Sequence, residues 1–308
     1  MNGDERRGKL AQRTGGIDAA PGDPAEPQAP APPPAPAGEP ASPARRTASN
    51  SSMHQTGTGQ RLLTEVERFR FDIAGYLPLG TLLDPAGLAE ARAAIADPAA
   101  RPAGVTAAGN GLELELRNII ELGGTLGCVF ARPDLHTRMV ELVWGEQIRL
   151  ISSRAVVRRA GVSGRVTQGG RADPRRFGRY RAFVEGEFRC LLVSVLIALD
   201  DTAAGDGAFA VIPASHKASF AHPWADRTAE DLPVLRPLPL AAGEALLYTE
   251  GLSHALTAPR AERKRWLLYQ YGPSYMLDWP NCTPSAAVRE QAAADPLKAT
   301  LLREPYYH

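Results

Sequence analysis

From Ile148 onward the chain is a succession of short apolar or β-branched runs, each closed by Gly, Pro or Asp. They span Ile148 to Val157, Cys190 to Leu199, Ala208 to Ile212, Glu244 to Thr249 and Arg265 to Tyr271. Such runs read as strands, because β-branched side chains fit a pleated surface and the residues between them favour turns. LLVSVLIAL is apolar at odd and even positions alike, as a strand covered on both faces must be. The following DDTAAGDGAF supplies a turn rich in Asp and Gly. The pattern predicts an all-β core with helical additions, and a jelly roll or barrel is its natural closure.

Two helices precede this core and buttress it. The first is predicted after a short strand at Tyr76 to Leu79, with Asp84 as N-cap, Pro85 in the first turn and a stripe of Leu88, Ala91 and Ile95, ending before Pro98. The second runs from Pro133 to about Trp144, capped by Arg132 or Asp134, with Leu135, Met139 and Leu142 on one face and a stop at Gly145. Further upstream the composition changes. The first aromatic residue is Phe69, and ten of the 27 prolines lie within the first 43 residues. Residues 1–63 therefore read as a disordered Pro/Ala-rich leader, and residues 64–308 as the folded domain.

A net charge of +1 argues against a generic polyanion binder, so no nucleic-acid partner is expected. Cys128, Cys190 and Cys282 are far apart and form no CxxC element, which suggests neither a zinc knuckle nor a disulfide framework and fits a reducing cytoplasm. No run of 18 apolar residues exists, so no membrane partner is expected. Oligomeric state has no signature in the sequence.

Chemistry concentrates in GEALLYTEGLSHALTAPRAERKRWLLYQY, residues 243–271, where one strand leads to His254 and the next opens with Arg265. A neutral imidazole at a strand end is a good Fe(II) ligand, and a guanidinium offers two parallel donors to a carboxylate. Arg265, Leu267, Tyr269 and Tyr271 share one face of their strand. That face is expected to point into the barrel.

The order FDIAGYLPLGTLLDP, LVSVLIALDD, DGAFAVIPASHK, GEALLYTEGLSHAL and RWLLYQYGPSY resembles the phytanoyl-CoA dioxygenase family of iron(II)- and 2-oxoglutarate-dependent oxygenases, over roughly residues 64–308. The resemblance implies a mainly β, cupin-like double-stranded β-helix (jelly roll) with buttressing α-helices, and Fe(II) and 2-oxoglutarate as cofactors. It matches His254 to the distal metal ligand and Arg265, rather than Arg263 on the same face, to the residue that pairs with the far carboxylate of 2-oxoglutarate. His216, in the turn IPASHK, matches a structural turn of the family.

One element departs from the pattern. Where family members carry a first histidine and a following acid, this chain reads RVTQGGRADP, with Gln168 at the histidine position and Gly170 where a carboxylate could follow. An amide oxygen is a weak neutral ligand for Fe(II). Three outcomes are open: Asp173 or Glu185 folds back to supply the acid; a halide or water fills the vacancy; or the site no longer binds iron. The next segment, RADPRRFGRYR, carries Arg171, Arg175, Arg176, Arg179 and Arg181. At the mouth of such a barrel Arg175, Arg176 and Arg179 would attract an anionic substrate, such as a CoA- or carrier-linked acyl group, unless they form only a solvated loop balanced by nearby acids. Two functions remain: an oxygenase that hydroxylates or otherwise oxidises a small, anionic or acyl-carrier-linked metabolite, and a catalytically silent member that keeps the pocket to bind a small molecule or partner.

Overall fold

The computed structural model describes residues 63–96, 101–143, 147–168, 181–184, 187–218, 223–224, 227–232, 234–260 and 262–306, with the backbone alone at 181–184 and 187–189. Of the leader expected at 1–63, residues 1–62 lie outside the described residues, as do Gly170, Asp173, Arg175, Arg176, Arg179 and Glu185, whereas Leu63 is buried in the core.

Helix α1, Glu65–Ala74, opens the fold. Thr64 accepts from the Glu67 amide while the Glu67 carboxylate accepts from Thr64, a reciprocal cap that the sequence motif T-x-x-E encodes. The sequence reading did not place this helix. Gly75, at φ 79°, ends it in the left-handed conformation that glycine adopts without strain. Replacing Thr64 by Ala removes one half of the cap and is expected to cost about 1 kcal/mol, read as a lower urea midpoint with an unchanged slope.

Strand β1 is Tyr76–Thr81 and helix α2 is Pro85–Ala96, with Ala91 and Ile95 buried and Leu88 packed beside them, as its pattern predicts. Strands β2, Thr106–Gly109, and β3, Glu113–Arg117, form a hairpin. Helix α3, Pro133–Leu142, buries Leu135, Met139 and Leu142. It ends two residues short of Trp144, and the Arg132 side chain pairs with Asp134 instead of capping the helix. The core strands follow: β4, Ile148–Arg158; β5, Arg181–Val184; β6, Glu187–Arg189; β7, Val193–Ala198; β8, Phe209–Val211; β9, Arg236–Leu238; β10, Glu244–Thr249; β11, His254–Leu256; and β12, Lys264–Pro273. Helices α4, Ala286–Ala292, and α5, Pro296–Leu301, complete the order.

The sheets give the jelly roll its two walls. The large one runs β1-β10-β7-β12-β4-β3-β2, and the small one β11-β8-β9. The strand pairs within them are antiparallel. Because side chains alternate across a strand, the large sheet has two different faces. Ile197, Leu247, Leu267, Tyr269 and Tyr271 pack with Phe71, Ile95, Leu126, Phe130 and Leu135 on the helical side. Leu196, Leu246, Tyr248, Trp266 and Leu268 pack with Phe209, Val211 and Leu256 of the small sheet, inside the barrel. Trp266 is fully buried there. At the foot of β10, Gly243 has φ 88°, and a Cβ on it would sit 2.4 Å from the Leu83 carbonyl oxygen. The motif GEALLY therefore begins with glycine because the 82–83 turn docks on its backbone.

Candidate functional site

One end of the barrel brings together the end of β10, the start of β11 and the segment 165–168. Thr167 pairs with His254 as an antiparallel bridge, each amide donating to the other's carbonyl at 2.8 Å. The His254 ring lies between Phe209 and Tyr248, with centroids 5.3 and 4.9 Å away. Its Nδ1 is 2.7 Å from the Leu252 carbonyl oxygen. A carbonyl only accepts, so Nδ1 carries a proton, and Nε2 presents a lone pair in the neutral form of the ring. Thr167 Oγ1 is 3.1 Å from that nitrogen.

Sequence reasoning missed Glu250, which closes this cluster. It follows β10, is 7% exposed and reaches into the barrel. Its Oε1 accepts from Gln270 Nε2 at 2.8 Å and from the Ser194 hydroxyl. Its Oε2 is 3.9 Å from His254 Nε2. Burial alone would raise the Glu250 carboxyl; the charge of His254, the Ser194 and Gln270 hydrogen bonds and the charge of Arg154 more than offset that and hold it below the usual range. Burial and the Glu250 charge together push the Tyr248 phenol well above its ordinary value. Arg154, also absent from the sequence reading, extends the network by donating from Nη2 to Gln270 Oε1 at 3.3 Å. The one signal available for Glu250 was an acid closing an apolar strand four residues before the singled-out histidine.

Gln168 lies next to the site in chain order, but its amide is used elsewhere. Nε2 donates to the Ser215 and Gly251 carbonyl oxygens, both at 3.0 Å. Reversing the amide would set an oxygen against two carbonyls, so the orientation is fixed. Gln168 thus clamps the 215 and 251 turns together. His216, expected to be structural, is buried, and its Nε2 donates to the Asp72 carbonyl of α1 at 2.9 Å. Burial, the largest influence on it, lowers its pKa.

The orientation expected for Arg265 needs correction. Leu267, Tyr269 and Tyr271, on its face of β12, pack against the helical layer; the Tyr269 and Tyr271 hydroxyls donate to the Leu126 and Phe130 carbonyls at 3.0 and 2.8 Å. The inner face carries Trp266, Leu268 and Gln270 instead. The Arg265 guanidinium is held by Asp200, with Nε to Oδ2 at 2.9 Å and Nη2 to Oδ1 at 2.6 Å. Arg92 of α2 also approaches Asp200, at 3.4 Å. The carboxylate that Arg265 grips belongs to the LDD turn of its own chain.

Among the described residues no three His, Cys, Asp or Glu side chains converge on one point, and no helix is long and apolar enough to cross a membrane. The fold has clear relatives. HygX from Streptomyces hygroscopicus, solved with nickel, 2-oxoglutarate and hygromycin B bound, superposes with a TM-score of 0.61 at 19% identity, covering 74% of this chain and 94% of that one. The same protein with iron bound gives 0.58 at 18% identity, with the same coverage. At such identity the likeness establishes the shared fold. The family description "Phytanoyl-CoA dioxygenase (PhyH)" matches residues 71–265, well over half of the chain. With its jelly roll and its ordered motifs in place, the chain belongs to the phytanoyl-CoA dioxygenase family.

Proposed function

We propose that this chain is a member of the family that holds a small molecule at the barrel mouth without turning over 2-oxoglutarate. The observation that carries this reading is the Gln168 amide, fixed between two backbone carbonyls at the position where the resemblance implies a metal-binding imidazole. Iron(II) is generally held by two imidazoles and a carboxylate, with positions left open for substrates. Here the described residues offer one imidazole, His254, and the arginine implied for 2-oxoglutarate is paired with Asp200. These residues do not fit iron and 2-oxoglutarate in the arrangement the resemblance implies.

Arg175, Arg176 and Arg179 belong to the same proposal as cations that would draw in an anionic ligand. Residence in the cytoplasm is part of it too, in keeping with three cysteines that are all free thiols.

A second reading, an oxygenase that oxidises a small metabolite, is favoured by one observation: the Leu252 carbonyl locks the His254 tautomer so that Nε2 offers a lone pair. Succinate release separates the two. Purified protein is incubated anaerobically with Fe(II) and 2-oxoglutarate, then exposed to oxygen. The proposal expects succinate at the level of the protein-free control, and release that depends on both protein and iron would overturn it.

A further inference from the structure

Helix α1 buries Phe71 and leaves its opposite side exposed. Val66, Phe69 and Ile73 are 58%, 65% and 48% exposed, and their i, i+3, i+7 spacing sets them in one stripe. Single apolar residues on a surface need no explanation, but three aligned along one helix do. The helix is firmly held. Phe71 anchors it in the core, Arg68 pairs with Glu141 and Arg138 with Glu67, both joining α1 to α3, and Lys217 Nζ meets Asp72 at 2.7 Å. With the cap at Thr64 in place as well, the stripe is ordered before anything docks on it, so docking costs little conformational entropy.

The side chains in and beside the stripe select what fits it. In heptad terms Val66 and Ile73 occupy a and Phe69 occupies d, with Glu65 at g and Arg70 at e. Both flanking residues are exposed. β-Branched residues at a favour parallel, two-stranded pairing. In a parallel pair g of one helix faces e of the other, which sets Glu65 against Arg70 twice across a two-fold axis. An antiparallel pair would set g against g and e against e. That brings Glu65 towards Asp72 and Arg70 towards Arg70, all like charges. We propose that α1 docks a second copy of this chain, side by side and parallel, through Val66, Phe69 and Ile73, with Glu65 and Arg70 closing both flanks.

The area sets the strength of this contact. Three partly exposed side chains cover roughly 300 Å2 per copy, against about 800 Å2 per partner in a stable complex. The dimer is therefore reversible and forms as concentration rises. Phe69, the large central side chain, carries most of the contact, and the charged flanks fix its direction. The surface lies on the helical layer and is independent of what the barrel binds.

The test is sedimentation equilibrium of the full-length chain at low salt, from about 10 µM to about 1 mM, the range in which so small an interface associates. Wild type is expected to pass from monomer to dimer. Phe69→Glu, at a site too exposed to disturb the core, should keep the far-UV circular dichroism of wild type and abolish the dimer. Glu65→Lys should weaken association by about three- to tenfold, and Glu65→Lys combined with Arg70→Glu should restore it. Direction is read from disulfides in a Cys128→Ser background. A mixture of Val66→Cys and Ile73→Cys chains should cross-link 66 to 66 and 73 to 73, whereas an antiparallel pair would link 66 to 73. A monomer at every concentration, a dimer that survives Phe69→Glu, a charge exchange that restores nothing, or cross-links mainly from 66 to 73 would each overturn the proposal.

Discussion

Replacing Arg149 by Met is expected to lower the unfolding free energy by about 3–5 kcal/mol. Arg149 lies on β4 and is 1% exposed. Its Nη2 meets Asp278 Oδ1 at 2.7 Å, its Nη1 donates to the Met276 carbonyl at 2.7 Å, and its Nε donates to the Arg303 carbonyl at 3.0 Å. Burial, the largest influence, lowers the guanidinium pKa, and the charge and hydrogen bond of Asp278 oppose the change. A methionine fills similar space but satisfies none of these groups. Asp278 would be left as a nearly buried charge without its counterion, which is why removing one partner costs more than the pair contributes. The arginine also ties the segments near 276 and 303 to the large sheet, so the loss should appear as earlier release of the C-terminal helices. Urea unfolding followed by far-UV circular dichroism measures it. A loss under about 1 kcal/mol, the worth of an exposed ion pair, would mean the network is not buried as described.

How much of this was legible in the sequence depended on whether a signal was local. The alternation in GEALLYT and RWLLYQY encodes strands, and Pro85 with its apolar stripe encodes α2, because each depends on a few neighbouring residues. The large sheet is covered on both faces, by the helical layer and by the small sheet, which agrees with the apolar character of LLVSVLIAL at odd and even positions alike. Helix α1 was missed although T-x-x-E announced it, because its exposed Val66, Phe69 and Ile73 blur the apolar stripe. His254 stood out in the sequence because its motif is local. Glu250 did not, since its meaning comes from Ser194 and Gln270, 56 and 20 residues away in sequence. The facing of Arg265 was the other failure. Alternation showed that Arg265 shares a face with Tyr269 and Tyr271, but not which face turns inward. That face was expected inside the barrel; in the fold the Tyr269 and Tyr271 hydroxyls reach the carbonyls of the helical layer.

That reversal gives Arg265 a result of its own. Arg265→Ala, Asp200→Ala and the double replacement form a cycle in which each single change should cost roughly 1.5–3 kcal/mol. The double should cost clearly less than their sum, because both charge-assisted bonds disappear with either partner. The side chains are 14% and 17% exposed, so solvent screening trims the electrostatic part without removing it. Arg265→Lys should recover little, since a lysine cannot make the two-pronged contact. An arginine that served a ligand would behave in the opposite way: Arg265→Ala would relieve an isolated cation, leave stability nearly unchanged and abolish binding of 2-oxoglutarate. Denaturation midpoints across the cycle, with 2-oxoglutarate titrated into wild type and Arg265→Ala, distinguish the two. Additive losses together with a loss of 2-oxoglutarate binding confined to Arg265→Ala would return this residue to the cosubstrate. Strong coupling between Arg265 and Asp200 makes the guanidinium a fastener between the LDD turn and β12, holding the outer face of the same strand whose inner face carries Gln270 to Glu250.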